Sequence, residues 1–158
     1  MDINTFKKNI KSNRDQIIKP YDLVFQEFQK LGIDQMTREE IIPQVSKLIA
    51  KLRNNTWEAF KPLEKKFTVK MITELAKNDT TYSEGQKDNQ TRIEIISSFI
   101  ENYSDYIYQL TLSNTNSRRS RAGKEFEAIL ELLLMACNIT MDSQGSVGRK
   151  EFKDKRLG

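Results

Sequence analysis

The chain has no histidine and one cysteine, Cys137, among its 158 residues. The first absence removes Ser–His–Asp triads, the usual imidazole base and most transition-metal sites. The second excludes disulfide scaffolds and cysteine-based zinc sites, and favours a cytoplasmic setting. No apolar run in the sequence approaches the roughly 20 residues that span a bilayer, and the N-terminus lacks the apolar core of a secretory signal. No internal repeat, low-complexity tract or sustained heptad is present. Any catalysis must therefore rest on carboxylates, lysine, tyrosine or a hard, oxygen-bound metal.

What is present is a globular balance, with 37% hydrophobic and 30% charged residues. The length suits one ordinary domain, or a helical domain and part of another. The net charge of +4 matters less than its distribution. Lysine and arginine concentrate near the N-terminus, around Lys61 to Lys70, at Arg118 to Lys124 and at Arg149 to Arg156.

Helical periodicity dominates. Phe6, Ile10, Ile17 and Ile18 precede Pro20, and Leu23, Val24, Phe25 and Phe28 follow it, so Ile3 to Lys30 reads as helix kinked or split at the proline. Gly32 is the expected C-cap. Thr37 with Glu40 is a capping box for a helix to about Arg53, with Ile41, Val45, Leu48, Ile49 and Leu52 on its apolar face. Asn54–Asn55 reads as a break before a helix carrying Trp57, Phe60 and Leu63, which Pro62 interrupts. Phe67, Met71, Ile72 and Leu75 continue the pattern to about Asn78, and Asp79 to Gln90 reads as a polar loop. From Gln90 to about Leu112, Ile93, Ile96, Ile100, Tyr103, Ile107 and Leu110 share one face. Trp57 and the tyrosines at 103, 106 and 108 are expected in the core, where their spacing fits. Ser113 to Asn116 is read as a polar break.

The stretch from Ser117 to Cys137 joins two opposite chemistries. SRRSRAGK carries Arg118, Arg119, Arg121 and Lys124; EFEAILELLLMAC carries an apolar stripe of Phe126, Ile129, Leu130, Leu133, Leu134 and Cys137. Read as a cationic loop feeding a helix from about Arg121 to Asn138, it would hold an anion at the helix N-terminus. Glu127 flanks the stripe, where a partly desolvated carboxylate suits a hard metal or a lysine partner; an ordinary boundary glutamate paired one turn back is the plainer reading. After Ile139 the periodicity ends, and Met141 to Gly158 could carry one or two short strands.

The run Ser117 to Glu127, with the amphipathic helix that follows and then Asp142-Ser143-Gln144-Gly145, resembles a segment of type II restriction endonucleases. The branch concerned is the one in the PD-(D/E)xK nuclease superfamily whose catalytic domain opens with an R-x-G-K-x-F-E helix. The resemblance covers about residues 118–158, and the first 110 residues carry none. It implies a mainly α chain in which a helical domain, residues 1–116, leads into residues 117–158, the first helix and a strand of an incomplete α/β nuclease core. It further implies that Glu127 is the helix glutamate beside the active site, that Arg118, Arg119, Arg121 and Lys124 face DNA, and that Gly123 permits close approach at the helix start. Mg2+ is the implied cofactor, with no complete metal site here beyond a contribution from Glu127; double-stranded DNA and a second copy, as a homodimer, are the implied partners. The pattern is departed from in one respect: the main metal-binding Asp and the (D/E)xK strand are not found, and Glu151-Phe152-Lys153 lacks a preceding Pro-Asp. The expectation is thus part of a Mg2+-dependent DNA endonuclease, inactive alone, from a longer protein. The competing expectation is a non-enzymatic helical DNA-binding or protein-interaction module using residues 117–124 as a phosphate clamp.

Overall fold

The computed structural model describes residues 1–83 and 90–139. Every regular element among them is helical, as the mainly α expectation requires. In order these are α1 (Ile3–Arg14), α2 (Pro20–Lys30), α3 (Arg38–Ile41), α4 (Val45–Lys77), α5 (Thr80–Ser83), α6 (Arg92–Asn102) and α7 (Ser104–Ala136), with single 3-10 turns at Ile33–Gln35 and Ile42–Gln44. The strands expected after Met141, and the E-x-K at Glu151 to Lys153, lie outside the described residues.

Local signals set most helix ends. Asp2 accepts from the Thr5 amide to cap α1. Pro20 occupies the first turn of α2, where its missing N–H costs nothing, so the proline starts a helix rather than kinking one. Gly32 takes φ 74°, which only glycine adopts without strain, and its amide bonds to Gln29. The capping box of Thr37 and Glu40 forms in both directions.

Three expected interruptions do not occur. Helix α4 runs unbroken for 33 residues through Asn54, Asn55 and Pro62. Leu52, Thr56 and Phe60 keep its buried stripe continuous across the asparagines, and burial outweighs their weak helix propensity. Helix α7 likewise passes through Ser113 to Asn116 and through the whole basic run. There the polar side chains are engaged within the fold: Arg14 donates from Nε to Ser113 Oγ at 2.9 Å and from Nη2 to Asn114 Oδ1 at 2.5 Å. The break falls instead at Tyr103, between α6 and α7. Its ring lies 4.9 Å from Phe99 and 5.3 Å from Tyr106, and its hydroxyl donates to Asp79 Oδ2 at 2.5 Å.

The chain forms two compact units, each built from two separated stretches. The first comprises Met1–Ile17 and Pro62–Arg118, with a core of Phe6, Ile10, Phe67, Met71, Leu75 and Leu110. The second comprises Ile18–Lys61 and Arg119–Gly158; its core takes Val24, Phe28, Ile33, Ile41, Leu48 and Leu52 together with Ala128, Ile129, Leu132, Leu133 and Cys137 of α7. The residue 116/117 boundary drawn from sequence falls inside α7. Cys137 is a buried small hydrophobe. Several residues expected in the core are open: Ile93, Ile96 and Ile100 are 76%, 57% and 51% exposed, Tyr108 is 62% exposed and Phe126 is 42% exposed.

Candidate nucleic-acid interface

Because α7 is continuous, Ser117 to Lys124 is neither a loop nor a helix N-terminus. Its amides are used within the helix, so the anion site expected from unpaired N–H groups does not exist there. The charge of the run is instead sorted by helical geometry onto two sides.

In the first unit, Arg118 turns toward α4. Its Nε donates to Glu64 Oε2 at 2.8 Å and its Nη2 to Glu64 Oε1, a side-on bidentate pair. The Glu64 side chain is 9% exposed and that of Arg118 is 51% exposed. The hydrogen bonds to Glu64 hold the guanidinium pKa above its ordinary value. One turn back, Asn114 Nδ2 donates to Thr68 Oγ1 at 3.0 Å.

In the second unit, Arg121 is an interior residue. Its Nη1 donates to the Ile18 carbonyl at 2.9 Å, its guanidinium carbon lies 4.4 Å from the Phe60 ring centre, and Nε is 3.4 Å from Glu125 Oε1. Burial pushes the Arg121 guanidinium down and the Glu125 carboxyl up, and each charge opposes the other's shift. Arg119, Lys124 and Gly123 are exposed on the outer side of α7. Arg119, Gly123 and Glu127 follow one another at four-residue spacing and form one stripe, with Lys124 next to it. Glu127 is half-buried at its inner end. A Cβ built on Gly123 meets nothing within 4 Å, so the fold itself does not require this glycine.

The second unit also holds a feature that periodicity concealed. Arg53, Trp57 and Lys61 lie at four-residue spacing on α4. Trp57 is 36% exposed rather than core, Lys61 Nζ is 6.0 Å from its ring centre, and the Arg53 guanidinium is 5.8 Å from the Phe126 ring centre. Exposed aromatics alternating with cations suit stacking on bases beside a phosphate chain. The proximity of Phe60 in sequence drew Trp57 into the core reading; the signal that finds the stripe is the cation one turn either side.

Among the described residues no group of three or more His, Cys, Asp or Glu side chains could hold a metal. No helix among them is long and apolar enough to cross a membrane.

No family model matches the sequence. The chain is 39% identical over 148 residues to a protein of Shigella sonnei named Type II restriction enzyme SsoII, a match covering 94% of this chain and 47% of that one. Two solved structures are similar at 39% identity: metal-depleted Ecl18kI in complex with uncleaved DNA, at a TM-score of 0.83 over 93% of this chain and 49% of that one, and the same enzyme with uncleaved, modified DNA, at 0.82 over 93% and 48%. The chain spans about half the length of the relatives it matches. It is thus a homologue of type II restriction enzymes over nearly its whole length, and the resemblance is not confined to residues 118–158.

Proposed function

We propose that this chain, a homologue of type II restriction enzymes, forms part of a DNA endonuclease: it binds double-stranded duplex through the outer side of α7 and the exposed face of α4 in the second unit. The observation that carries the reading is the stripe of exposed Arg119 and Gly123 and half-buried Glu127, with exposed Lys124 beside it, on a helix that also gives Ala128, Ile129, Leu132 and Leu133 to the core. Two cations on a rigid helix can meet phosphates, and a glycine between them leaves room for a backbone to come close. Within the first unit, Arg118 is taken by itself as a further phosphate contact. Arg121 contributes differently: held by Ile18, Phe60 and Glu125, it supports the helix that presents the other cations.

The whole enzyme would hydrolyse phosphodiesters with a divalent metal, Mg2+, and would act as a homodimer on a two-fold site. Glu127 is an oxygen donor of the right kind for Mg2+, which usually takes one or two carboxylates and keeps several waters. It does not make a site alone, and the described residues supply no three-ligand cluster around it. No hydrolytic step is therefore assigned to them.

The test is duplex binding by the 158-residue chain, followed by fluorescence anisotropy at two salt concentrations. Arg119→Ala with Lys124→Ala should weaken binding and reduce the salt slope by about 2. Unchanged affinity in that variant, with the fold intact, removes this surface from the interface. Mg2+-dependent cleavage by the longer enzyme that persists in Glu127→Ala removes the role given to Glu127.

A further inference from the structure

Glu64 is a carboxylate that the proposed interface does not use, almost wholly buried in the middle of an amphipathic helix. Burying a carboxylate is unfavourable unless it is paired and hydrogen-bonded. Its partner is Arg118, and the pairing is asymmetric: the acid is inside and half of the base is outside. The contact is also side-on, using Nε and Nη2. A guanidinium gripped along that edge is fixed in plane and direction, and Nη1 lies on the side away from the carboxylate.

The backbone carrying Arg118 is fixed as well. One turn earlier Asn114 is held from both sides, accepting from Arg14 and donating to Thr68, while Ser113 accepts from Arg14. The Arg14 guanidinium lies in turn over the Phe67 ring, at 4.3 Å from its centre. Glu64 and Thr68 on α4 therefore face Arg118 and Asn114 on α7 as two polar rungs, all within the first unit. These rungs hold still the turn from which Arg118 projects.

We infer that Glu64 is a positioning residue for nucleic-acid binding: from its buried place on α4 it fixes the Arg118 guanidinium so that the exposed end meets a DNA phosphate already ordered. The inference rests on the duplex-binding reading above and names the device that serves it. Its physical content is preorganisation. A free arginine loses most of its rotamer freedom when it grips a phosphate, whereas one already held by Glu64 loses much less. The partial neutralisation by Glu64 lessens the attraction to phosphate, and the ordering outweighs it because the Glu64 carboxylate touches only the inner edge.

A double-substitution cycle on duplex binding tests this, with the 158-residue chain and a duplex of about 30 base pairs. Thermal unfolding of each variant is recorded alongside. Arg118→Ala should weaken binding about five- to tenfold and lower the salt slope by about 1. Glu64→Gln should produce most of the same loss in affinity in the wild-type background and none in the Arg118→Ala background. That non-additivity is the supporting result, because a merely structural Glu64 would weaken binding equally in both backgrounds through a loosened fold. Binding that Arg118→Ala leaves unchanged overturns the inference, and so does a Glu64→Gln loss that persists without Arg118. A chain that binds no duplex in any form overturns the functional reading itself, which sets that failure apart from the other two.

Discussion

Arg121 lies over Phe60, its guanidinium carbon 4.4 Å from the ring centre, although it belongs to the most basic run of the chain. Its charged partner is Glu125, and the two side chains are 11% and 16% exposed. Removing one member of such a pair leaves a buried charge uncompensated, whereas replacing both with apolar residues of similar size is close to neutral. Arg121→Ala should therefore destabilise the chain by about 3 kcal/mol, while Arg121→Met combined with Glu125→Leu should cost about 1 kcal/mol or less. Urea unfolding of both variants checks this. A single substitution no worse than the double would show that the pair is not the constraint.

Gly123 sits on the exposed side of α7 with open space where a Cβ would be. Alanine there should raise stability by about 0.5–1 kcal/mol, the usual cost of a mid-helix glycine. The same substitution should weaken duplex binding, since the room that glycine leaves faces outward beside Arg119 and Lys124. A variant that is more stable and binds equally well would mean that the glycine has no contact role.

The Tyr103 hydroxyl is pushed from 10.0 up to about 12, first by burial and then by its hydrogen bond to Asp79. A group whose proton is held more tightly in the folded state contributes stability below its unfolded value and loses it as pH rises through the folded one. Stability should therefore decline between pH 10 and about 12 in the wild type, and Tyr103→Phe should lack that component of the decline. The same contact acts in the opposite direction on Asp79, whose carboxyl is lowered chiefly by the Tyr103 hydrogen bond. Its contribution is present above the ordinary carboxylate value of 3.8 and fades as acid carries the pH down through the depressed folded value. Tyr103→Phe should remove its alkaline limb and shrink the acid one, which the Thr81 amide also supports, in chemical unfolding followed across pH. An unchanged alkaline limb would place its origin elsewhere.

Trp57 is the sole tryptophan, and it is exposed between Arg53 and Lys61. Its emission should be accessible to acrylamide in the free chain. Saturating duplex should change that emission and cut the acrylamide access, because a stacked base would cover the ring. Emission that ignores DNA, under conditions where anisotropy shows binding, would place the duplex away from this face of α4.

The start of α1 at Ile3, the end of α2 at Lys30, the αL turn at Gly32 and the capping box at Thr37 were legible because each depends on neighbours in sequence. The buried stripe of Ile129, Leu133 and Cys137 was legible for the same reason, through its helical period. The interruptions at Asn54, Pro62 and Ser113 were misread because local propensity is weak, of order 1 kcal/mol for most residues, and long-range contacts outweigh it. Arg14 reaching Ser113 and Asn114 across 99 and 100 residues is such a contact. The open isoleucine face of α6 shows the converse: a period predicts that residues share a face but not that anything covers it.

The amino-acid order alone determined the helical class, the lack of histidine and of a second cysteine, and the family resemblance carried by RAGKEFE. Which cations of that run look outward was decided only in three dimensions. Arg118, Arg119, Arg121 and Lys124 are equivalent as text, but on a helix of 3.6 residues per turn they point in different directions. Glu64 draws one partly inward, Phe60, Ile18 and Glu125 bury another, and Arg119 and Lys124 remain outside. Glu125 is one turn away on α7, but Glu64 and Phe60 lie dozens of positions away on α4 and Ile18 farther still, just before α2, and no local pattern records those contacts.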